Sequence, residues 1–218
     1  MGYLVRMINK EQNWAQYQQE IPAIDQINAD SISELATTDN CVSTWYIDTK
    51  EDINQAVLAL TSGFRNLDSI KLVVLNMDSL KQYGLVAKQS EETAFTKAKG
   101  YEKYHYDIID LNHHTLGSLA QFIMKTLHDN GVINVDKPSI VEILSKAMAE
   151  EIVDFDSLDK NLKAGLASSI IKELRKPKSK LAPIVNRTIQ EQLQQQVEKN
   201  KRRTNCSYET QCPYWQGT

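Results

Sequence analysis

The chain has 218 residues, 41% of them hydrophobic, which is enough to bury a real core, and its formal net charge is −3. Eight Gly and five Pro over that length disfavour a fold made of many tight hairpins and point to helix. No apolar run reaches the roughly 18 residues of a membrane span, and the opening Met1-Gly2-Tyr3-Leu4-Val5-Arg6 carries neither a signal-peptide core nor a myristoylation Ser/Thr, so a cytoplasmic protein with no membrane partner is expected.

Tyr3-Leu-Val-Arg-Met-Ile8 predicts the first strand. After a segment opened by Pro22, Ser31-Ile-Ser-Glu34 carries a reciprocal capping signature ahead of Leu35 and Ala36, which predicts a short helix. Cys41 to Ile47 predicts the second strand and Ser69 to Leu75 the third, apolar on both faces and therefore central. Between these two, Ile53, Ala56, Val57 and Leu60 fall at helical spacing, and the run stops at Gly63, which suits a left-handed cap. Asp48 and Thr49 stand three residues before Glu51 and Asp52, so Asp48 is expected to cap that helix. The strand–helix–strand unit is most simply a parallel crossover.

From Leu116 the period becomes helical and stays so. Leu116, Leu119, Ala120, Ile123 and Leu127 are closed by Gly131; Ile140, Val141, Leu144, Ala147 and Met148 follow Pro138. A third set steps through Leu158, Leu162, Leu166, Ile170 and Leu174, and a fourth through Leu181, Val185, Ile189, Leu193 and Val197. Lys176-Pro-Lys-Ser-Lys180 breaks the last two, because Pro177 disfavours helix at the residue before it; a hinge is expected there. The resulting fold class is α/β, with α+β as its variant. It comprises a small sheet of three to five strands with flanking helices (1–132), a helical subdomain (133–175), a basic amphipathic helix (176–203) and a flexible tail (204–218).

Charge divides the chain more sharply than hydrophobicity does. Residues 1–171 hold 15 Lys/Arg against 24 Asp/Glu, whereas 172–203 hold ten basic residues against three acidic ones. An acidic body with a basic arm is an interaction architecture, since the mean field repels polyanions while one segment attracts them. Cations at a helix C-terminus also complement its macrodipole, but that effect acts only within the last turn, and this excess reaches back to Lys172. The binding candidates are Lys176, Lys178, Lys180, Arg187, Lys199, Lys201, Arg202 and Arg203, with Tyr214 and Trp215 as aromatic anchors in the tail. The expected partner is a protein or a nucleic acid. Copies of the chain are expected to associate through 181–197 if that apolar stripe is left uncovered.

Two further constellations carry possible chemistry. His105, Asp107, Asp110, His113 and His114 lie within ten residues and are of the types that ligate a metal or form an acid/base pair; a strand through 104–109 puts His105 and Asp107 on one face, which permits a shared site, and His105, Asp107 and His113 are the candidates for acid/base or metal chemistry. Separately, Arg6 on the first strand, Ser43-Thr44 on the second and Gln89-Ser-Glu91 further on resemble, in order and approximate spacing, the Arg, Ser-Thr-Ser and Gln-x-Glu elements of ADP-ribosyltransferases. Trp45 stands where the third residue of the Ser-Thr-Ser element would be. The resemblance implies that Arg6 and Ser43 would hold NAD and that Glu91 would stabilise an oxocarbenium-like transition state.

A Gly-rich phosphate loop, a nucleophile elbow and an HExxH motif are all absent from the sequence, and the three cysteines, Cys41, Cys206 and Cys212, lack zinc spacing and are expected to be reduced and unpaired. The leading expectation is a non-enzymatic cytosolic interaction module or assembly subunit, without cofactor or metal, that binds through its C-terminal arm. On this reading a body cut after Arg175 folds but does not bind. A small enzyme using one of the two constellations is the alternative.

Overall fold

The structure, a computed structural model, describes residues 2–18, 20–35, 39–186 and 189–198. The three expected strands form as β1 (Tyr3–Ile8), β2 (Val42–Ile47) and β3 (Ile70–Asn76), joined by β4 (Val86–Gln89), β5 (His105–Ile109) and β6 (Ile133–Val135). They make one six-stranded sheet in the order β4-β5-β2-β1-β3-β6 with every pairing antiparallel. The mixed α/β class stands, with one strand more than the upper expectation. The two short edge strands, β4 and β6, have no counterpart among the strands expected from the sequence.

The expected parallel crossover takes a different form. Helix α2 (Ile53–Ser62) does carry the chain from β2 to β3, and the two strands do run the same way. They do not touch, because β1 lies between them and pairs antiparallel with both, Val5 facing Trp45 on one side and Val74 on the other.

Strand alternation divides the core into two layers. Val5, Trp45, Ile47, Leu72 and Val74 face α2, α4 (Lys137–Ala149) and α5 (Lys160–Leu174). Leu4, Ile8, Val42, Val73, Leu75 and Ile108 face α3 (His113–Asn130), with Trp14 and Leu35 closing that side near the short α1 (Ala29–Glu34). The helices expected to form a separate subdomain after residue 132 are instead one outer layer of this sheet. Beyond that boundary β6 pairs with β3, and α4 and α5 share a single apolar cluster with α2.

Local capping follows the expected chemistry with shifted residues. Thr49 and Asp52 form the reciprocal box ahead of α2, while Asp48 accepts a hydrogen bond from the Tyr46 hydroxyl at 2.9 Å. Asn28 caps α1 by accepting from the Ser31 amide at 2.7 Å, and Glu34 accepts from the Asn9 amide at 2.7 Å rather than closing the Ser31 box. Asn112 and Thr115 cap α3. Gly131 ends α3 with φ of 74°, but Gly63 ends α2 with φ of −85°. Gly63 is required for space: a Cβ there would lie 2.6 Å from the Phe95 carbonyl oxygen.

The largest departure is the C-terminal stripe. Leu181, Val185, Ile189 and Leu193 are 2%, 3%, 6% and 0% exposed and belong to the α2/α4/α5 cluster. Their helix also begins later than expected. A turn at 181–185, in which the Leu181 carbonyl accepts from Ile184 and Val185, is followed by Asn186, whose side chain accepts from the Ile189 amide at 3.0 Å and opens a helical segment over 189–198. The arm is therefore packed on the body as far as 198, and the segment expected to be a hinge joins two parts of one core. The condition for association through 181–197, an uncovered stripe, is not met among the described residues. The tail from 204 lies outside them.

Candidate nucleic-acid interface

The histidine cluster is assembled in part. β5 sets His105 opposite Trp45 of β2, with the two rings edge-to-face at 5.0 Å. His105 Nδ1 lies 2.9 Å from the Ser90 carbonyl oxygen and 3.0 Å from Ser90 Oγ, so an Nδ1–H donates to Ser90. Two residues on, Asp107 Oδ2 accepts from Thr93 Oγ1 at 3.2 Å. Nε2 of His105 then stands 4.0 Å from Asp107 Oδ1, too far for a hydrogen bond, and that oxygen is buried with no hydrogen-bond partner among the described residues. His105 and Asp107 are only 3% and 7% exposed. His113 does not join them, because it begins α3 on the opposite face of the sheet and is exposed. The cluster ties the 90–93 turn to β5, and the structure brings His105 and Asp107 together but not His113.

The Arg6, Ser43, Thr44 and Glu91 set is also divided. Arg6 shares its face with Leu4 and Ile8, and its guanidinium donates to the main-chain oxygens of Ser43 at 3.1 Å and Glu34 at 3.3 Å. Burial lowers its pKa, and the nearby Glu34 carboxylate opposes that shift. By strand alternation the Ser43 side chain projects from the other face, beside Trp45, and is exposed. Thr44 is fully buried and donates to the Tyr106 carbonyl at 2.8 Å. Glu91 accepts from Gln89 Nε2 at 2.9 Å. With the sheet between the guanidinium and the serine hydroxyl, the residues that the ADP-ribosyltransferase resemblance would assign to NAD do not converge. Cys41 is no better placed as a nucleophile: desolvation, then Asp107, Asp39 and Asp110, push its thiol pKa up.

The basic segment is arranged differently. α5 ends at Leu174, and from its last turn onwards Lys172, Arg175, Lys176, Lys178 and Lys180 are all exposed. Leu174 is half-buried and Leu181 fully buried, so the run is anchored at both ends. Lys176 pairs with Glu173 at 2.5 Å, while Lys172, Arg175, Lys178 and Lys180 form no ion pair among the described residues. This segment rims a cleft of about 680 Å³ between the first turn of α4 and the end of α5, lined among others by Lys137, Ser139, Ser168, Lys172 and Lys180. At its mouth the Ser139 hydroxyl and amide hold the Asp136 carboxyl below its ordinary pKa, with Lys180 adding to the effect.

Sequence reasoning found Lys176, Lys178 and Lys180 but missed Lys137 and Ser168, whose only signal was their place on two helices that pack side by side. Arg187, Lys199, Lys201, Arg202, Arg203, Tyr214 and Trp215, like Cys206 and Cys212, lie outside the described residues. No family model matches this chain, and no curated protein or solved structure is significantly similar to it.

Proposed function

We propose that this protein is a non-enzymatic binding module that engages nucleic acid through the cations of 172–180. The observation that carries this reading is the row of exposed cations held on a packed surface with a single ion pair among them. Close like charges repel one another, and of the five cations only Lys176 has an ion-pair partner among the described residues. A polyanion relieves that repulsion and releases its own counterions on binding. The acidic remainder of the chain repels the same polyanion, which confines contact to this face and orients the approach.

The test compares the full chain with a Lys172→Gln, Lys176→Gln, Lys178→Gln, Lys180→Gln variant, binding single- and double-stranded oligonucleotides over a range of salt. Each phosphate contact contributes roughly 0.7 to 0.9 to the slope of log affinity against log salt, so the variant is expected to lose about three units of slope. Equal affinity and slope in the two proteins would defeat the proposal. Binding of an acidic peptide with no binding of any oligonucleotide would replace it with a protein partner.

A further inference from the structure

We infer that the cleft between α4 and α5 is a seat for one nucleoside phosphate unit, either the end of a single strand or a free nucleotide. The inference rests on the reading of 172–180 as a phosphate-binding surface and adds a specific ligand class to it. Its volume of about 680 Å³ falls within the range of small-molecule sites and is too small to admit a duplex.

The lining sorts by chemistry into three parts. Lys137, Lys172 and Lys180 supply positive charge with no ion pair among the described residues. Ser168 and Ser169 also line the space, and neither hydroxyl makes a hydrogen bond among the described residues. Among the apolar residues of the lining, Val141 and Leu181 are 4% and 2% exposed, while Pro138 is exposed, as are the lysines whose aliphatic stems border the space. An inorganic anion would engage the lysines alone, whereas a nucleoside phosphate has both an anionic group for the lysines and a flat apolar body to lie against Pro138 and the lysine stems.

Three carboxylates also line the cleft. Glu173 is neutralised by Lys176, and Asp136 is committed to the Ser139 amide at 2.9 Å, which leaves Glu142 as an acceptor for a sugar hydroxyl. Because Asp136 closes the first turn of α4, the attraction comes from the lysines and not from the helix end.

The test titrates the full chain with adenosine monophosphate and with inorganic phosphate, and then uses each to displace a fluorescent single-stranded oligonucleotide. Ser168→Trp fills the cleft without changing charge, and Lys137→Gln with Lys180→Gln removes charge without filling it. The expected result is that the nucleotide binds at least about tenfold more tightly than phosphate. It should also displace the oligonucleotide, and both variants should lose that binding while melting as the parent does. If Ser168→Trp fails to fold, the lysine pair carries the same comparison.

Nucleotide binding matched by inorganic phosphate, or retained in the variants, overturns the seat. So does an oligonucleotide that binds but is not displaced, and in that case the nucleic-acid reading survives without it. Nucleotide binding with no oligonucleotide binding does the reverse: the seat stands with a free nucleotide as its ligand, and the nucleic-acid reading falls.

Discussion

Cutting the chain after Arg175 removes four side chains from the core, not a free arm. Leu181, Val185, Ile189 and Leu193 are each at most 6% exposed and pack with α2, α4 and α5. Burial of an aliphatic side chain of this size contributes about 1.5 to 3 kcal/mol, so the four together contribute about 6 to 12 kcal/mol. A domain's whole stability is about 5 to 15 kcal/mol. The truncated chain is therefore expected to be unfolded or molten, with retained helical circular dichroism, bound hydrophobic dye and no cooperative urea transition.

A graded version of the same experiment is Leu193→Ala in the full chain. That residue is 0% exposed, and the substitution is expected to cost about 2 to 5 kcal/mol, read as a lower urea midpoint at unchanged slope. A truncation that unfolds cooperatively at the parent's midpoint would refute the reasoning and show the stripe to be a dispensable cover. Loss of binding on truncation, by contrast, says nothing about the arm as a ligand surface, because the body is lost with it.

Gly63→Ala places a methyl 2.6 Å from the Phe95 carbonyl oxygen and is expected to destabilise by about 1 to 3 kcal/mol in chemical denaturation, despite the gain in helix propensity. Asn112→Ala removes the cap that accepts from His114 and Thr115 at 2.9 and 3.1 Å and should cost about 1 kcal/mol by the same measurement. Asp107→Asn removes a buried charge whose Oδ1 has no hydrogen-bond partner among the described residues, so stability should be unchanged or raised by about 1 kcal/mol. A fall of about 3 kcal/mol or more would show that the carboxylate is paired with a protonated His105. Asp136 has its folded pKa lowered from 3.8, so its contribution is complete above that value and is lost as pH falls through the folded pKa. The thermal midpoints of the parent and of Asp136→Asn should accordingly differ at neutral pH and converge in acid.

Much of the fold was legible because periodicity records which residues share a face. Tyr3–Ile8 is a strand with the expected bounds, the second and third strands and α2 to α5 follow the apolar spacing, and Asn112 and Gly131 mark the ends of α3. β4 and β6 were not legible: four and three residues respectively, at the edges of the sheet, they alternate too briefly to leave a pattern. Periodicity also does not record what a face packs against. The insertion of β1 between β2 and β3 comes from pairing between residues far apart in the chain, and the register of β1 against β2 puts the Arg6 guanidinium and the Ser43 hydroxyl on opposite sides of the sheet. In the same way, the sequence by itself determined that 181–197 carries an apolar stripe and that 172–180 is basic. Only the tertiary structure decided that the stripe is covered by α2, α4 and α5, which turns the apparent arm into a wall of the core, and that Lys137 and Ser168 join the lysines across a cleft. An amphipathic helix must bury its apolar face against something, and the choice of partner depends on the packing of the whole chain.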